Sequence, residues 1–384
     1  MSLLPLSLYI HLPWCVRKCP YCDFNSHMAG TAIPESAYVQ ALLTDLDWEL
    51  AQMPDLGRER SVETVFFGGG TPSLFAPESI ATLLDGVRER MKLAMEAEIT
   101  LEANPGTAES GKFLGFRRAG VNRLSLGVQS FHPGHLRALG RIHGREEALA
   151  AVAMARDTGF DNFNLDLMFG LPGQTVEEVE VDVLAATSLE PTHISFYQLN
   201  LEPNTMFHRN PPPLPDEERT WAIQQAGQAL LAERGFERYE ISAYARLGRR
   251  CRHNLNYWRF GDYLGLGAGA HGKLTDPSSG RIVRTWKIRY PQHYLDAAGT
   301  EAAGGKLAVS GEQLPVEFLM NHLRLKEGFP LPRLRECTGL PPEVLEPGVG
   351  QCLEDGLLER VGEYLRCTPK GYDFLDEVLQ RFLP

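Results

Sequence analysis

The feature that most limits how this chain can fold is an alternation of apolar strands and amphipathic helices running from Leu8 to Tyr197. Leu8-Tyr-Ile-His-Leu12, Val62-Glu-Thr-Val-Phe-Phe67, Glu98-Ile-Thr-Leu101, Arg123-Leu-Ser-Leu126, Asn162-Phe-Asn-Leu-Asp-Leu167 and His193-Ile-Ser-Phe-Tyr197 read as six strands. Helices are predicted from Pro34 and over Pro77–Met91, Ser110–Ala119, Glu146–Thr158 and Val176–Ala186. In the first of them Val39, Leu42, Leu43, Leu46 and Leu50 share one face. Parallel neighbours need a crossover, so repeated units of this kind imply an α/β fold with a parallel sheet and helices outside. Six strands predict a partial (β/α)6 barrel of TIM-like type, open on one side.

The polar residues of this region fall in a pattern. Gly68-Gly-Gly-Thr71, Glu102, Gln129 and Asp166 each lie at or just after the C-terminal end of a predicted strand. Those ends collect at one face of a barrel, where barrel enzymes place their sites. The first strand leads there into Cys15-Val-Arg-Lys-Cys19-Pro-Tyr-Cys22. Soft thiolates crowded on one polar loop are placed for a metal rather than for packing. Zinc would need a fourth ligand, which His11 or His27 could supply. A [4Fe–4S] cluster held by three cysteines keeps one iron free for a further ligand. The three glycines could form a tight turn or let a ligand approach the backbone; the spacing is not a dinucleotide fingerprint.

Beyond Leu201 the alternation weakens. Asn210-Pro-Pro-Pro-Leu-Pro215 reads as a stiff connector, Glu217–Glu233 as a helix, and Arg238-Tyr-Glu-Ile-Ser-Ala243 as an edge strand. The Gly- and aromatic-rich stretch from Arg246 to Gly280 is expected to cover the open side of the barrel. From Glu312, helices at Pro315–Leu325 and Pro342–Asp355 precede a hairpin turning at Val361-Gly-Glu, a winged-helix-like α+β module. The chain divides on this reading into residues 1–205, 206–311 and 312–384.

Charge bears on partners. The net charge is −11, and from Pro315 onward eight Lys/Arg face twelve Asp/Glu, so neither chain nor module suits nucleic acid. Seven cysteines, three of them crowded, fit a reducing compartment better than a disulfide framework. The start has no basic head or cleavage site of a secretory signal, and no apolar run is long enough for a membrane span. A cytoplasmic protein is expected.

These residues carry a resemblance. The C-x3-C-x2-C loop is the signature of the radical S-adenosylmethionine superfamily. With Tyr9-Ile-His-Leu-Pro-Trp-Cys15, Gly68-Gly-Gly-Thr-Pro-Ser73, Glu102-Ala-Asn-Pro105, Gly127-Val-Gln-Ser-Phe131 and Asn164-Leu-Asp166, the chain is similar to the branch containing oxygen-independent coproporphyrinogen oxidase, from about Leu8 to His271. It departs from the oxidase pattern at Phe24, where that pattern has a further cysteine, and in having only eight residues before Tyr9. Both departures, with His253-Asn-Leu-Asn-Tyr-Trp258, resemble the oxidase-like heme chaperone family, HemW.

The resemblance implies that Cys15, Cys19 and Cys22 hold a [4Fe–4S] cluster. It implies S-adenosylmethionine contacts at Tyr9, Gly69, Gly70, Thr71, Glu102, Gln129, Arg141 and Asp166, with Tyr21 near the adenine. Carboxylates suit an ammonium and ribose hydroxyls, and a guanidinium suits a carboxylate. His253 is then a candidate axial ligand for heme, Tyr257 and Trp258 offer flat surface beside it, and Cys251 is the runner-up ligand. Gly265-Leu-Gly-Ala-Gly-Ala-His-Gly272 is expected to make a close-packed turn near the cofactor, with no role for His271. Two functions follow: a heme chaperone handing heme to an acceptor protein that could be membrane-associated, or an oxidase decarboxylating a porphyrinogen. A homodimer is left open.

Overall fold

In the computed structural model, residues 4–53, 56, 60–276 and 279–383 are described. Residues 1–3, part of the stretch read for a secretory signal, lie outside them. Six parallel strands form the centre: β1 (Leu6–Leu12), β2 (Val62–Gly69), β3 (Leu93–Ala103), β4 (Arg123–Gln129), β5 (Phe163–Phe169) and β6 (His193–Gln198), paired in that order. All five of these pairings are parallel. Alternate residues of each strand pack outward under the helices: Leu8, Ile10, Val65, Phe67, Leu101, Leu124, Leu126 and Leu165 are all fully buried there.

The helices follow the predicted order. They are α1 (Glu35–Gln52), α2 (Pro77–Arg90), α3 (Ser110–Ala119), α4 (Arg145–Asp157) and α5 (Val176–Ser188). In α1, Val39, Leu42, Leu43 and Leu46 are buried at i, i+3, i+4 and i+7, the stripe a sheet-covering helix needs. The start of α5 is set by a capping box: Thr175 Oγ1 accepts from the Glu178 N–H, and Glu178 accepts from the Thr175 N–H. The helix α6 (Glu217–Glu233) lies against α5 and is capped by Asp216, which accepts from the Arg219 N–H.

The segment expected to cover the open side does so by extending the sheet at both edges. Beyond β6 lies the short antiparallel β7 (Ala243–Ala245), which pairs in turn with the two-residue edge strand Glu237–Arg238. Helix α7 (Arg252–Trp258) packs on the N-terminal halves of β1 and β2. Beyond β1 comes β8 (Asp262–Leu266), parallel to it, followed by the antiparallel β9 (His271–Thr275), β10 (Ile282–Lys287) and β11 (Gly304–Ala308). The result is one twelve-stranded sheet among the described residues rather than an isolated six-stranded one. The seventh parallel strand escaped the sequence reading because Asp262-Tyr-Leu-Gly-Leu266 sits in a Gly-rich context that reads as irregular.

The C-terminal segment has its own apolar core, with Phe318, Leu319, Leu323, Phe329, Leu334, Leu345, Val349, Leu358, Leu365 and Val378. Its hairpin runs Leu358–Val361 and Tyr364–Cys367, as expected. Leu4, Phe260 and Ile282 of the larger body enter the same core, so the two parts share an apolar contact.

That junction also carries a buried ionic knot. Asp262 accepts from Arg60 Nη1 (2.8 Å), Lys273 Nζ (2.9 Å) and Thr275 Oγ1 (2.8 Å), and all four residues are buried. Removing one member of such a set strands the others without water. Asp262→Ala is expected to cost about 3–5 kcal/mol, seen as a lower urea midpoint, because Arg60 and Lys273 are left buried without their anion. A midpoint within error of wild type would show the knot to be dispensable.

Candidate functional site

The cysteine loop leaves β1 at the C-terminal face of the barrel and is tied down on both sides. Trp14-Cys15 pairs in parallel with His27-Met28, and the Ala29 N–H donates to the Cys15 carbonyl (2.8 Å). On the β2 side, the N–H groups of Gly70 and Thr71 donate to the carbonyls of Leu12 and Trp14. On the other, Asn25 Nδ2 donates to the carbonyls of Ala268 (2.9 Å) and Arg289 (2.7 Å). The Gly-rich turn after β8 is therefore close-packed against the loop, as the sequence suggested. A Cβ on Gly269 would meet Asn25 at 2.3 Å, and one on Gly267 (φ +99°) would meet the His11 carbonyl oxygen at 2.4 Å.

The glycines at and just beyond the end of β2 serve the same packing. A Cβ on Gly69 would meet the His11 ring at 2.5 Å, and one on Gly70 the Trp14 backbone at 2.5 Å. Their bareness answers to protein neighbours as well as to any ligand.

The three thiols are free and half-exposed. Thr71 Oγ1 and Arg141 Nη1 each approach a sulfur, Cys15 and Cys19 respectively, at 3.6 Å. Burial raises the thiol pKa of Cys15 and Cys22, so their thiolates call for a positive charge between them, which a metal centre supplies. Zinc–sulfur bonds of about 2.3 Å place tetrahedral donors roughly 3.8 Å apart. Among the described residues the trio whose donor atoms all lie within 4.8 Å of one another is His132, His135 and Glu178, not the cysteines. Three thiols also suit a cube, whose ligands sit on separate irons. His11 is no fourth ligand: Tyr9 Oη meets its Nδ1 (3.0 Å) and its Nε2 meets the Asn25 carbonyl (2.8 Å). His27 Nε2 lies against Asn25 and the Arg289 carbonyl.

Beside the loop is a recess of about 100 Å³ lined by Phe24, Gly70, Thr71, Glu102, Asn104, Ser125, Gly127, Arg141 and Asp166. It brings together five of the residues expected to touch S-adenosylmethionine. Glu102 accepts from the Gly69 N–H (3.2 Å), and Asp166 accepts from Asn164 Nδ2 (2.7 Å) and Ser125 Oγ (3.3 Å). Burial, and then the neighbouring Asp166, push the Glu102 carboxyl up to about 8; burial also raises Asp166. Two carboxyls so placed suit a cationic ligand. Arg141 donates through Nη2 to the Gly127 carbonyl (2.6 Å), yet its buried Nε has no partner among the described residues, a donor left for a carboxylate. The donor set fits an amino acid carrying both charges.

The other expected contacts lie around the recess rather than in it. Gln129 is buried at the end of β4 in a left-handed conformation (φ +71°) and accepts from Tyr197 Oη (2.7 Å). Tyr21 packs on Phe207 in a small apolar cluster. Tyr9 and Gly69 line a second cavity of about 670 Å³, which shares Glu102 and Phe24 with the recess. Its wall also includes His11, Asn25, Gly269, Tyr257, Tyr263, His271, Trp286, Lys287 and Arg289. Ser125 and Asn104 were missed by the sequence reading, although alternation along β4 puts Ser125 on the same face as Gly127.

His253 is placed otherwise than expected. The ring is 1% exposed, with Thr64 Oγ1 at Nδ1 (2.7 Å) and Tyr257 Oη at Nε2 (2.8 Å). Thr64 gives its own proton to Ser7 Oγ, so Nδ1–H donates to Thr64 and Nε2 accepts from Tyr257. Burial lowers the His253 pKa to about 3. An imidazole locked at both nitrogens offers nothing to an iron. Trp258 lies under the Arg324 guanidinium, and Cys251 is buried against Glu98. Of the aromatic pair named with His253, Tyr257 reaches the cavity.

Residues 9–185 match the model of the radical SAM superfamily, and residues 309–374 that of the HemN C-terminal domain. The chain is 49% identical to the heme chaperone HemW of Escherichia coli (strain K12), covering 100% of this chain and 99% of that protein. It is 34% identical to the heme chaperone HemW of Mycobacterium tuberculosis (strain H37Rv), covering 99% and 95%. The chain belongs to the HemW family. Among solved structures, coproporphyrinogen III oxidase (HemN) from Escherichia coli matches with a TM-score of 0.82 over 100% of this chain and 91% of that one; at 23% identity this is a likeness of fold. For a HemW family member the radical SAM domain implies a [4Fe–4S] cluster and S-adenosylmethionine.

A carboxyl that binds its proton near pH 8 when folded but near its ordinary 4.5 when unfolded favours the native state most at low pH. That contribution is lost as pH rises from about 4.5 through about 8. Glu102→Gln should therefore flatten the fall in thermal midpoint of the ligand-free protein between pH 6 and pH 9, while weakening S-adenosylmethionine binding to the reconstituted protein about tenfold or more. Calorimetry at both pH values and equilibrium dialysis check the two halves.

Proposed function

We propose that the chain is a heme-binding chaperone, holding heme in the 670 Å³ cavity beside the carboxylate recess and passing it to an acceptor protein. The observation that carries this reading is the lining of that cavity. Its volume falls within the roughly 300–1,000 Å³ of small-molecule and cofactor sites. Tyr257 and Tyr263 meet edge to face (4.4 Å between ring centres), and Trp286 stands half-exposed across the mouth. Flat aromatic walls with a basic rim suit a large planar dicarboxylate. The name of the relatives, heme chaperone HemW, supports the same reading. No described helix is long and apolar enough to cross a membrane, so a membrane-bound acceptor would be met at its surface.

In this reading Cys15, Cys19 and Cys22 hold the [4Fe–4S] cluster. Gly69, Gly70, Thr71, Glu102, Gln129, Arg141 and Asp166, with Tyr9 and Tyr21 alongside, surround S-adenosylmethionine. The chemistry such a pair supplies when bound is one-electron reductive cleavage of the sulfonium. The chain's own residues orient the amino acid end: the carboxyls take the ammonium, and the free Nε–H of Arg141 takes the carboxylate. The intact recess favours a second reading, oxidative decarboxylation of coproporphyrinogen. Against it stands Phe24, 59% exposed, where the oxidase pattern has a cysteine.

The full-length chain is expected to bind heme saturably, one per chain, and to pass it to heme-free apomyoglobin, followed by the Soret bands of the two proteins after separation. Absence of saturable binding would remove the chaperone reading. Under anaerobic, reducing conditions with excess S-adenosylmethionine, coproporphyrinogen should be recovered unchanged; protoporphyrinogen would decide for the enzyme.

A further inference from the structure

Four histidines lie near the cavity or the helix behind it, and their hydrogen bonds sort them. Both nitrogens of His11 and both nitrogens of His253 are engaged. His27 is held at Nε2 beneath the loop and is not part of the cavity wall. His271 differs on each count. It opens β9, is exposed, lines the cavity, and its ring makes no hydrogen bond among the described residues.

What surrounds it is equally specific. His271 pairs in register with Trp286 on β10, so the two side chains stand on the same face of the sheet. Gly265 and Gly272 hold its backbone fast: a Cβ on Gly265 would meet the His271 carbonyl oxygen at 2.1 Å, and one on Gly272 would meet Thr285 Oγ1 at 2.4 Å. A side chain on a strand edge pinned this way is fixed at its root and free at its tip. Of the cations on the cavity wall, Lys287 is already committed to Asp45 and Glu49, both at 2.6 Å. Arg289 is exposed and forms no ion pair among the described residues, while its backbone is anchored by Asn25.

We propose that His271 supplies the axial imidazole to the iron of heme in this cavity, that Trp286 flanks the porphyrin plane, and that Arg289 pairs with a propionate. The assignment rests on the chaperone reading above and replaces His253, whose place is structural. Coordination adds an imidazole nitrogen to the iron in exchange for water and changes no oxidation state. The ligand class is an iron porphyrin carrying carboxylates.

The experiment is a heme titration of the full-length chain, wild type and variants, read by the Soret and visible bands and by low-temperature electron paramagnetic resonance of the ferric form. Wild type should show an imidazole-ligated spectrum. His271→Ala should lose that signature and bind heme at least tenfold more weakly, and millimolar imidazole should restore the wild-type bands. Arg289→Ala should weaken binding about tenfold with no change of spectrum, since it touches the porphyrin's edge rather than its iron. His253→Gln should keep the imidazole signature if it folds; because that residue is buried, the exposed His271 variant decides. Saturable wild-type binding with an unaltered His271→Ala spectrum would overturn the ligand assignment and leave the chaperone reading standing. No saturable binding by wild type would overturn both.

Discussion

The upper face of this barrel depends on the space around one imidazole. His11 crowds the space that Gly69 leaves by lacking a side chain, and its own carbonyl oxygen lies 2.4 Å from where a Cβ of Gly267 would be. That carbonyl accepts from Tyr38 Oη (3.0 Å), which ties β1 to the first helix. The ring meanwhile joins Tyr9 of the cavity wall to Asn25 of the cysteine loop. Burial lowers its pKa to about 4, so near neutral pH it carries no charge to disturb the sulfurs. Strand β1, the glycines after β2, the turn after β8 and the metal loop are thus held in one packed unit. Position, more than any strong single bond, is what this unit supplies to the chemistry beside it.

Polarity along the barrel interior separates two kinds of buried group. Toward the N-terminal ends of the strands, Thr64, Glu98, Arg123, Asn164 and His193 are buried, and the side chains of Thr64, Glu98, Asn164 and His193 are hydrogen-bonded to partners that include His253, Cys251 and Tyr239. This layer is largely satisfied internally and fixes α7 in place. Toward the C-terminal ends, burial raises the carboxyl pKa values of Glu102 and Asp166, and Arg141 keeps an unpaired Nε. Arg123 Nε in the lower layer also has no partner among the described residues, so what sets the upper group apart is that two carboxyls and a guanidinium border one recess.

Much of this was legible in the residue order. Strand alternation and helix stripes gave the six parallel strands in their order, because each strand is buried on its helix side, although β3 begins at Leu93, five residues before the expected Glu98. The strand ends then gave Glu102, Asp166 and the Gly68–Thr71 loop, since barrel geometry gathers such ends on one face. The histidines were not legible. His253 and His271 both sit in aromatic, glycine-rich sequence, and nothing local says which is plugged and which is open. That depends on α7 folding back on β2, and on β8 joining β1 in parallel across more than two hundred residues of chain, so that β9 and β10 stand over the mouth. Motif resemblance pointed to the histidine that is conspicuous in sequence, whereas hydrogen-bond accounting points to the one with nothing to do.

The fold alone cannot separate a porphyrin carrier from a porphyrin oxidase, because the same barrel underlies a solved oxidase at 23% identity. The difference has to lie in side chains at the mouth, and Phe24, with Glu102, borders both the recess and the cavity. A thiol there would add a polarisable, redox-active group between the two spaces. An exposed phenyl adds apolar surface only, in a cavity that the half-exposed Trp286 also lines. Apolar surface at an open mouth lowers the free energy of a flat hydrophobic ligand without tying it to any reacting atom.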